Sequence, residues 1–244
     1  MLMKDYFQFR QFGVTQGRAA MKVGTDGVLL GSWEAIHGTP SHILDIGTGT
    51  GLLALMMAQR FPAAHVTAID IDEGALADAA DNISASPFSS RITLAGESLQ
   101  TFVAHPSTCC QYDVIVCNPP YYDNSLQPPD TSRTTARHTG TLPFRDLARA
   151  AFRLLSPSGD LCVILPTESL RLFTAEAAMA GLTLSAHYAV KTVPRKAPRR
   201  HLLRFSKSHD VGMVQQTVTL MDADGSRSAW YSHAMRDFYL PAAP

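Results

Sequence analysis

Short β-branched apolar runs alternate with helix-patterned stretches through the middle of the chain, and that alternation predicts βαβ units around a parallel sheet. HILDI (residues 42–46) precedes residues 51–60, where Leu52, Leu55, Met56 and Met57 suit one helix face. HVTAID (65–70) precedes an alanine-rich helix from about residue 73 to 85. RITLA (91–95), DVIVC (113–117) and DLCVIL (160–165) continue the series of strands. Between the last two, residues 144–155 read as a helix stopped by Ser156-Pro157-Ser158-Gly159. LTLSAHYAV (182–190), HLLRFS (201–206) and QTVTLM (216–221) follow as strands joined by loops, which predicts an antiparallel edge. The expected fold is α/β: a mostly parallel, seven-stranded sheet with that antiparallel edge and helices on both faces.

Two stretches break the alternation. Residues 1–41 contain FQFRQF (7–12), whose Phe7, Phe9 and Phe12 alternate with Gln8, Arg10 and Gln11 as in a half-buried strand. They also contain TDGVLLGSWEAIH (25–37), a helix for which Thr25 is the expected N-cap. This divides the chain into an N-terminal extension, 1–41, and a main domain, 42–244, on which it packs. The second is residues 123–143, rich in Pro, Ser, Thr and Asp; a loop that long inside a compact domain marks function or disorder.

Composition narrows the class. Of 244 residues, 45% are hydrophobic, which fits a globular chain. No apolar run approaches the ~18 residues of a membrane span, and no basic-then-apolar leader opens the sequence, so a cytoplasmic chain with no membrane partner is expected. Cys109, Cys110, Cys117 and Cys162 lack metal-ligand spacing, so reduced structural thiols and no metal are expected. The 21 basic and 21 acidic residues cancel, but unevenly. Residues 61–130 hold many acids against Arg91 alone, whereas Lys191, Arg195, Lys196, Arg199, Arg200, Arg204 and Lys207 have no acid among them. Local charge, not the total, decides phosphate binding, so this run is either an RNA contact or a solvated loop.

The chemistry begins at LDIGTGTGLLAL (44–55): a strand, Asp45 near its tip, then Gly47, Gly49 and Gly51 opening a helix. Glycines there permit a tight turn and close approach of a ligand to the backbone. A dinucleotide loop is the rival reading. Asp45 would repel a pyrophosphate, however, yet it suits a ligand bearing an ammonium and a sulfonium, which favours S-adenosylmethionine over NAD. The next strand ends in AIDID, and Asp70, with Ile71 beside it, falls where an acid accepts both ribose hydroxyls of a nucleoside. Glu97 and Ser98, after the third strand, fall at the adenine edge, although Glu97 also suits a helix N-terminus.

Asn118-Pro119-Pro120-Tyr121 lies at the tip of the fourth strand. Prolines there forbid continuation as a central strand and produce a rigid exit. The motif resembles that of methyltransferases acting on a nitrogen conjugated to a π system. An adenine N6 lone pair is delocalised into the ring. Accepting its two hydrogens at the Asn118 side-chain oxygen and the Pro119 carbonyl would localise that pair, while Tyr121 stacked on the base. A plain strand-ending turn is the alternative, since Asn and Pro are common turn residues. The cofactor loop about 70 residues upstream argues for the catalytic reading.

FQFRQF, MKVGTDGVLLGSW (21–33), DIGTGTGLLALMMAQR (45–60), AIDID, CNPPYY (117–122), ARHTGTLPF (136–144) and DFYL (237–240) together resemble the bacterial tRNA1(Val) (adenine-37 N6)-methyltransferase family along nearly the whole chain. The resemblance implies a Rossmann-like class I methyltransferase fold, S-adenosylmethionine as donor and an adenine beside the valine tRNA anticodon as acceptor. Arg10 stands where the family favours Lys. Arg10 and Lys22 could reach RNA or cofactor, Arg195, Lys196, Arg199 and Arg200 could grip tRNA phosphates, and His138 is either an RNA contact or a structural histidine. The chain is expected to act as a monomer. The alternatives are a protein-glutamine N5-methyltransferase, another RNA or DNA adenine N6-methyltransferase, or a non-catalytic binder. The first would carry a substantial N-terminal helical domain, and the last would show an eroded motif.

Overall fold

The computed structural model describes residues 5–19, 21–120 and 142–241. An eight-stranded sheet forms its centre. In chain order its elements are β3 (His42–Ile46), α2 (Leu52–Arg60), β4 (His65–Asp70), α3 (Glu73–Ser84), β5 (Ile92–Gly96), α4 (Leu99–Ala104), β6 (Tyr112–Cys117), α5 (Phe144–Leu154), β7 (Leu155–Pro166), α6 (Thr167–Met179), β8 (Thr183–Lys191), β9 (Arg200–Ser206) and β10 (Val214–Thr219). Before it come β1 (Tyr6–Gln8), β2 (Gly13–Thr15) and α1 (Thr25–Ser32), and α7 (Ala229–Met235) follows it.

The strand order is β10-β8-β9-β7-β6-β3-β4-β5. Two expectations need correction. Among the described residues the sheet has eight strands rather than seven, because β10 pairs with β8 in parallel. The antiparallel strand is not at the edge: β9 is antiparallel to both β7 and β8 and lies between them. Ser156-Pro157-Ser158-Gly159 does not separate helix from strand either. β7 starts at Leu155, and its register against β6 jumps from Tyr112↔Leu155 to Val114↔Asp160, so the segment is absorbed as an irregularity within the strand.

Alternation along each strand sends successive side chains to opposite faces. Ile43, Val66, Val114, Val116, Cys162 and Ile164 meet α1, α2 and the N-terminal aromatics on one face. Leu44, Ile46, Ile69, Ile115, Cys117 and Val163 meet α4, α5 and α6 on the other. A strand buried on both sides must be apolar at every position, which is why the runs read as continuous.

FQFRQF divides: Tyr6–Gln8 pairs with Gly13–Thr15, and Phe9 and Phe12 stack across the turn with ring centres 4.7 Å apart. Both rings are buried in the main core, as are Val28, Leu29, Leu30, Trp33 and Ile36. Each such burial stabilises by roughly 1.5–3 kcal/mol. Thr25 is the first helical residue rather than the cap; Gly24 precedes it in extended conformation, with no side-chain cap bond. α1 also stops at Ser32, short of residue 37.

Among the described residues no helix is long and apolar enough to cross a membrane, and no group of three or more His, Cys, Asp or Glu side chains could hold a metal ion.

Candidate active site

Register aligns the candidate residues along one rim of the sheet. Ile46 pairs with Cys117 on one side and Ile69 on the other, so Asn118, Gly47 and Asp70 are level, and Gly96 is level with Asp70. With strands about 4.8 Å apart, the row Asn118–Gly47–Asp70–Gly96 spans roughly 15 Å at the carboxyl ends of β6, β3, β4 and β5. In open α/β sheets that rim is where ligands bind.

The turn after β3 is built for close approach. Gly47, Gly49 and Gly51 have φ of 70°, 57° and 82°, a region in which side-chain-bearing residues are strained. A Cβ at Gly47 or Gly49 would meet no atom within 4 Å, so the turn opens onto free space. The Gly47 and Thr48 amides donate to the Ile69 carbonyl at 2.9 and 3.0 Å, and the Gly49 amide donates to Asp70 Oδ2 at 2.8 Å. Asp70 Oδ1 also accepts from the amides of Ile71 and Asp72. Ile71 is half exposed beside it.

Asp45 is fully buried. Its Oδ2 accepts from Thr48 Oγ1 at 2.6 Å and from the Ala54 amide at 3.0 Å, whereas its Oδ1 is buried with no partner among the described residues. Burial pushes this carboxyl up to about 7, the Thr48 and Ala54 bonds oppose the rise, and the charge of Asp70 adds to it. A buried, unpaired carboxylate oxygen beside a glycine turn suits a cationic, hydrogen-bond-donating ligand group. The residues therefore fit a donor with an ammonium.

At the neighbouring edge of the rim, Asn118 is half buried, Pro119 is buried and Pro120 is exposed. Asn118 Nδ2 lies 4.0 Å from Met21 Sδ, so the N-terminal segment reaches across to the motif. Tyr121 and His138 lie outside the described residues. Glu97 follows β5 and meets His105 Nε2 at 3.3 Å. Ser98 is the N-cap of α4, its hydroxyl accepting from the Thr101 amide at 3.1 Å.

What holds Met21 in place was not visible as a motif. Asp78 and Asn82, four residues apart on α3, both face inward. Asn82 Nδ2 donates to the Thr15 and Thr50 carbonyls at 2.8 and 2.9 Å, joining the N-terminal hairpin to the glycine turn, and its Oδ1 accepts from the Thr15 amide. Asp78 accepts from the Arg18 and Ala19 amides and from Arg18 Nε. Burial works against the charge of Asp78, but the Arg18 and Ala19 bonds outweigh it and hold the carboxyl below its usual range. Gln16 Oε1 closes the loop by accepting from the Val23 amide at 2.6 Å. The signal available in the sequence was two polar residues at helical spacing on the buried face of an alanine-rich helix.

The basic candidates separate. Arg10 donates to the Arg236 carbonyl at 2.7 Å, binding the N-terminus to α7 instead of the rim row. Lys22 pairs with Asp5 at 2.5 Å. Arg200 pairs with Asp26 at 2.7 Å and Arg204 approaches Asp160 at 3.8 Å, so the run has compensating acids supplied from elsewhere in the chain. Arg195, Lys196 and Arg199 are exposed, in the loop between β8 and β9. Because Arg200 pairs with Pro166 at the carboxyl end of β7, that loop emerges at the same rim as Asn118. Thr167 ties it down, donating its hydroxyl to the Pro198 carbonyl and its amide to the Arg199 carbonyl.

Comparison with known proteins agrees with this architecture. The family model described as "Methyltransferase small domain" matches residues 24–169. A protein of Porphyromonas gingivalis named tRNA1(Val) (adenine(37)-N6)-methyltransferase is 42% identical over 246 residues, covering 96% of this chain and 95% of its own. The chain belongs to the tRNA1(Val) (adenine(37)-N6)-methyltransferase family. A Flavobacterium johnsoniae member with the same name is 40% identical, covering 96% of this chain and 99% of its own. Solved structures share the fold at lower identity. A predicted O-methyltransferase from Agrobacterium tumefaciens is 18% identical with a TM-score of 0.68, covering 87% of this chain and 96% of its own. A geranyl diphosphate methyltransferase gives a TM-score of 0.53 at 10% identity, covering 75% of this chain and 76% of its own. The family is thus one of methyltransferases, and the sheet is Rossmann-like.

Proposed function

We propose that this chain transfers a methyl group from S-adenosylmethionine to N6 of adenine 37 in tRNA1(Val), acting as a cytoplasmic monomer. The observation that carries the reading is its 42% identity, along nearly the whole chain, to relatives named for that reaction. When bound, S-adenosylmethionine supplies an electrophilic methyl group on its sulfonium. The turn of Gly47, Gly49 and Gly51 gives the donor room, Asp45 meets its ammonium, Asp70 accepts its ribose hydroxyls, and Ile71, Glu97 and Ser98 border its adenine.

Asn118 and the Pro119 carbonyl accept the two N–H hydrogens of the target amine and localise its lone pair. Tyr121 stacks on the base and orients it. No strong general base is required, since the amine becomes acidic only as it gains the methyl group. An anticodon-loop adenine is single-stranded, so turning it onto the rim costs little. Supplying the protein with labelled donor and either total tRNA lacking the modification or release-factor protein tests the reading. The expected product is N6-methyladenosine at position 37 of one valine tRNA. Label on protein alone, or on another adenine, overturns it.

The exposed loop residues Arg195, Lys196 and Arg199, with Lys22 at the edge, are the proposed phosphate partners. Changing the three loop residues to Gln should weaken tRNA binding and reduce the slope of log affinity against log salt by about 0.7–0.9 for each phosphate that the loop no longer neutralises. Arg200 is left intact because removing it would also strand Asp26. A salt slope identical to that of the unaltered protein would remove this loop from the interface.

A further inference from the structure

The end of the sheet opposite the candidate site carries a cysteine pair that methyl transfer does not use. Cys109 and Cys110 sit just before β6, and both are exposed, unlike the structural thiols expected from the sequence. Their sulfurs are 3.4 Å apart. Cys110 has a φ of 57°, a conformation uncommon for a residue with a side chain. Its amide donates to the Arg153 carbonyl at 3.1 Å, and the next amide, of Gln111, donates to the Leu154 carbonyl at 2.9 Å.

A cation is fixed beside one of the two sulfurs. Lys207 Nζ lies 3.6 Å from Cys110 Sγ, while it donates to the Leu155 carbonyl at 2.8 Å and stands 4.9 Å from the centre of the Phe152 ring. The hydrogen bond between the two thiols and the Lys207 cation alongside hold the Cys110 thiol below its ordinary range, and Cys109 is held above. Cys117 and Cys162 contrast with both: they are fully buried, and burial pushes their thiols far up and keeps them inert. One exposed, cation-paired sulfur with a second thiol against it is the arrangement that separates a reacting cysteine from a resolving one.

We propose that Cys109 and Cys110 form a peroxide-reactive dithiol, in which Cys110 reacts first and Cys109 closes a disulfide between neighbouring residues. The Cys110 thiolate attacks one peroxide oxygen, the O–O bond breaks, and the departing alkoxide or hydroxide takes a proton, leaving a sulfenic acid on Cys110. Cys109 then attacks that sulfur: its S–H proton and the sulfenic hydroxyl leave as water, and the S–S bond forms. The two thiols are oxidised by two electrons and the peroxide is reduced to alcohol or water.

The test treats the full chain with hydrogen peroxide and reads peptide masses, free thiols and dimedone labelling. The intact protein should lose both exposed thiols together and give a peptide lighter by two hydrogens, reversible by dithiothreitol. Cys109→Ser should stop at a dimedone-trapped sulfenic acid on Cys110. Cys110→Ser and Lys207→Gln should each slow the first step by about tenfold or more, as expected for a reaction that follows thiolate character. Equal reactivity of Cys109→Ser and Cys110→Ser, disulfides formed only between molecules, or no loss of thiol in the unaltered protein would overturn the proposal.

Discussion

Replacing Asn118 with Ala should lower kcat for tRNA methylation by about 100- to 1,000-fold, the range seen when one preorganised polar partner of a transition state is removed. Donor affinity should change by less than about twofold. The reason for the split is positional. Asn118 leaves the sheet level with Gly47 but on the neighbouring strand, whereas the groups proposed to face the donor lie on β3 and β4 and in the turns that follow β3, β4 and β5. Its side chain continues the alternation of Val114 and Val116, so it projects from the same face as Asp45, toward the strap that carries Met21. Losing the carboxamide removes the proposed acceptor for the amine hydrogens without disturbing the glycine turn. Asn118→Asp, which keeps an acceptor oxygen, should lose less. Equilibrium titration of the donor and single-turnover rates with tRNA separate the two quantities. A parallel loss of donor affinity in Asn118→Ala would move this residue from the acceptor side to the cofactor side.

How far the sequence disclosed this arrangement follows from which forces act locally. Glycine spacing, Asp45 and Asp70 were legible because a positive-φ turn and a rim carboxylate each restrict one position to very few residue types. Strand identity was legible because burial on both faces demands unbroken apolar runs. Strand order beyond β7 was not. Whether β9 is interior or at the edge depends on which neighbours pair with it, and nothing within HLLRFS encodes that choice. The compensation of Arg200 and Arg204 was hidden for the same reason, since Asp26 and Asp160 are remote in sequence. Residues 15–19 were likewise opaque as a strap, because the side chains that fasten them belong to α3.

In the role proposed for it, Asp45 links stability to donor binding with opposite signs. Its carboxyl is pushed up to about 7 in the folded protein, mainly by burial, against about 3.9 in an unfolded chain. Between those values the folded state binds more protons than the unfolded one, so the donor-free protein should lose stability as pH rises from about 4 to about 7 and level off above. Donor binding runs the other way. An ammonium finds its partner only when Asp45 is ionised, so affinity should fall by roughly tenfold per unit as pH drops below about 7. Asp45→Asn keeps an oxygen to accept from Thr48 and Ala54 but abolishes the charge. The variant should therefore melt above the unaltered protein near about pH 8, lose that advantage progressively toward about pH 4, and bind donor about 10- to 100-fold more weakly, the worth of one charged hydrogen bond. Calorimetric titration and melting curves across that range measure both arms. A donor affinity that is flat with pH, or untouched in the variant, would mean that no cation meets the unpaired oxygen of Asp45.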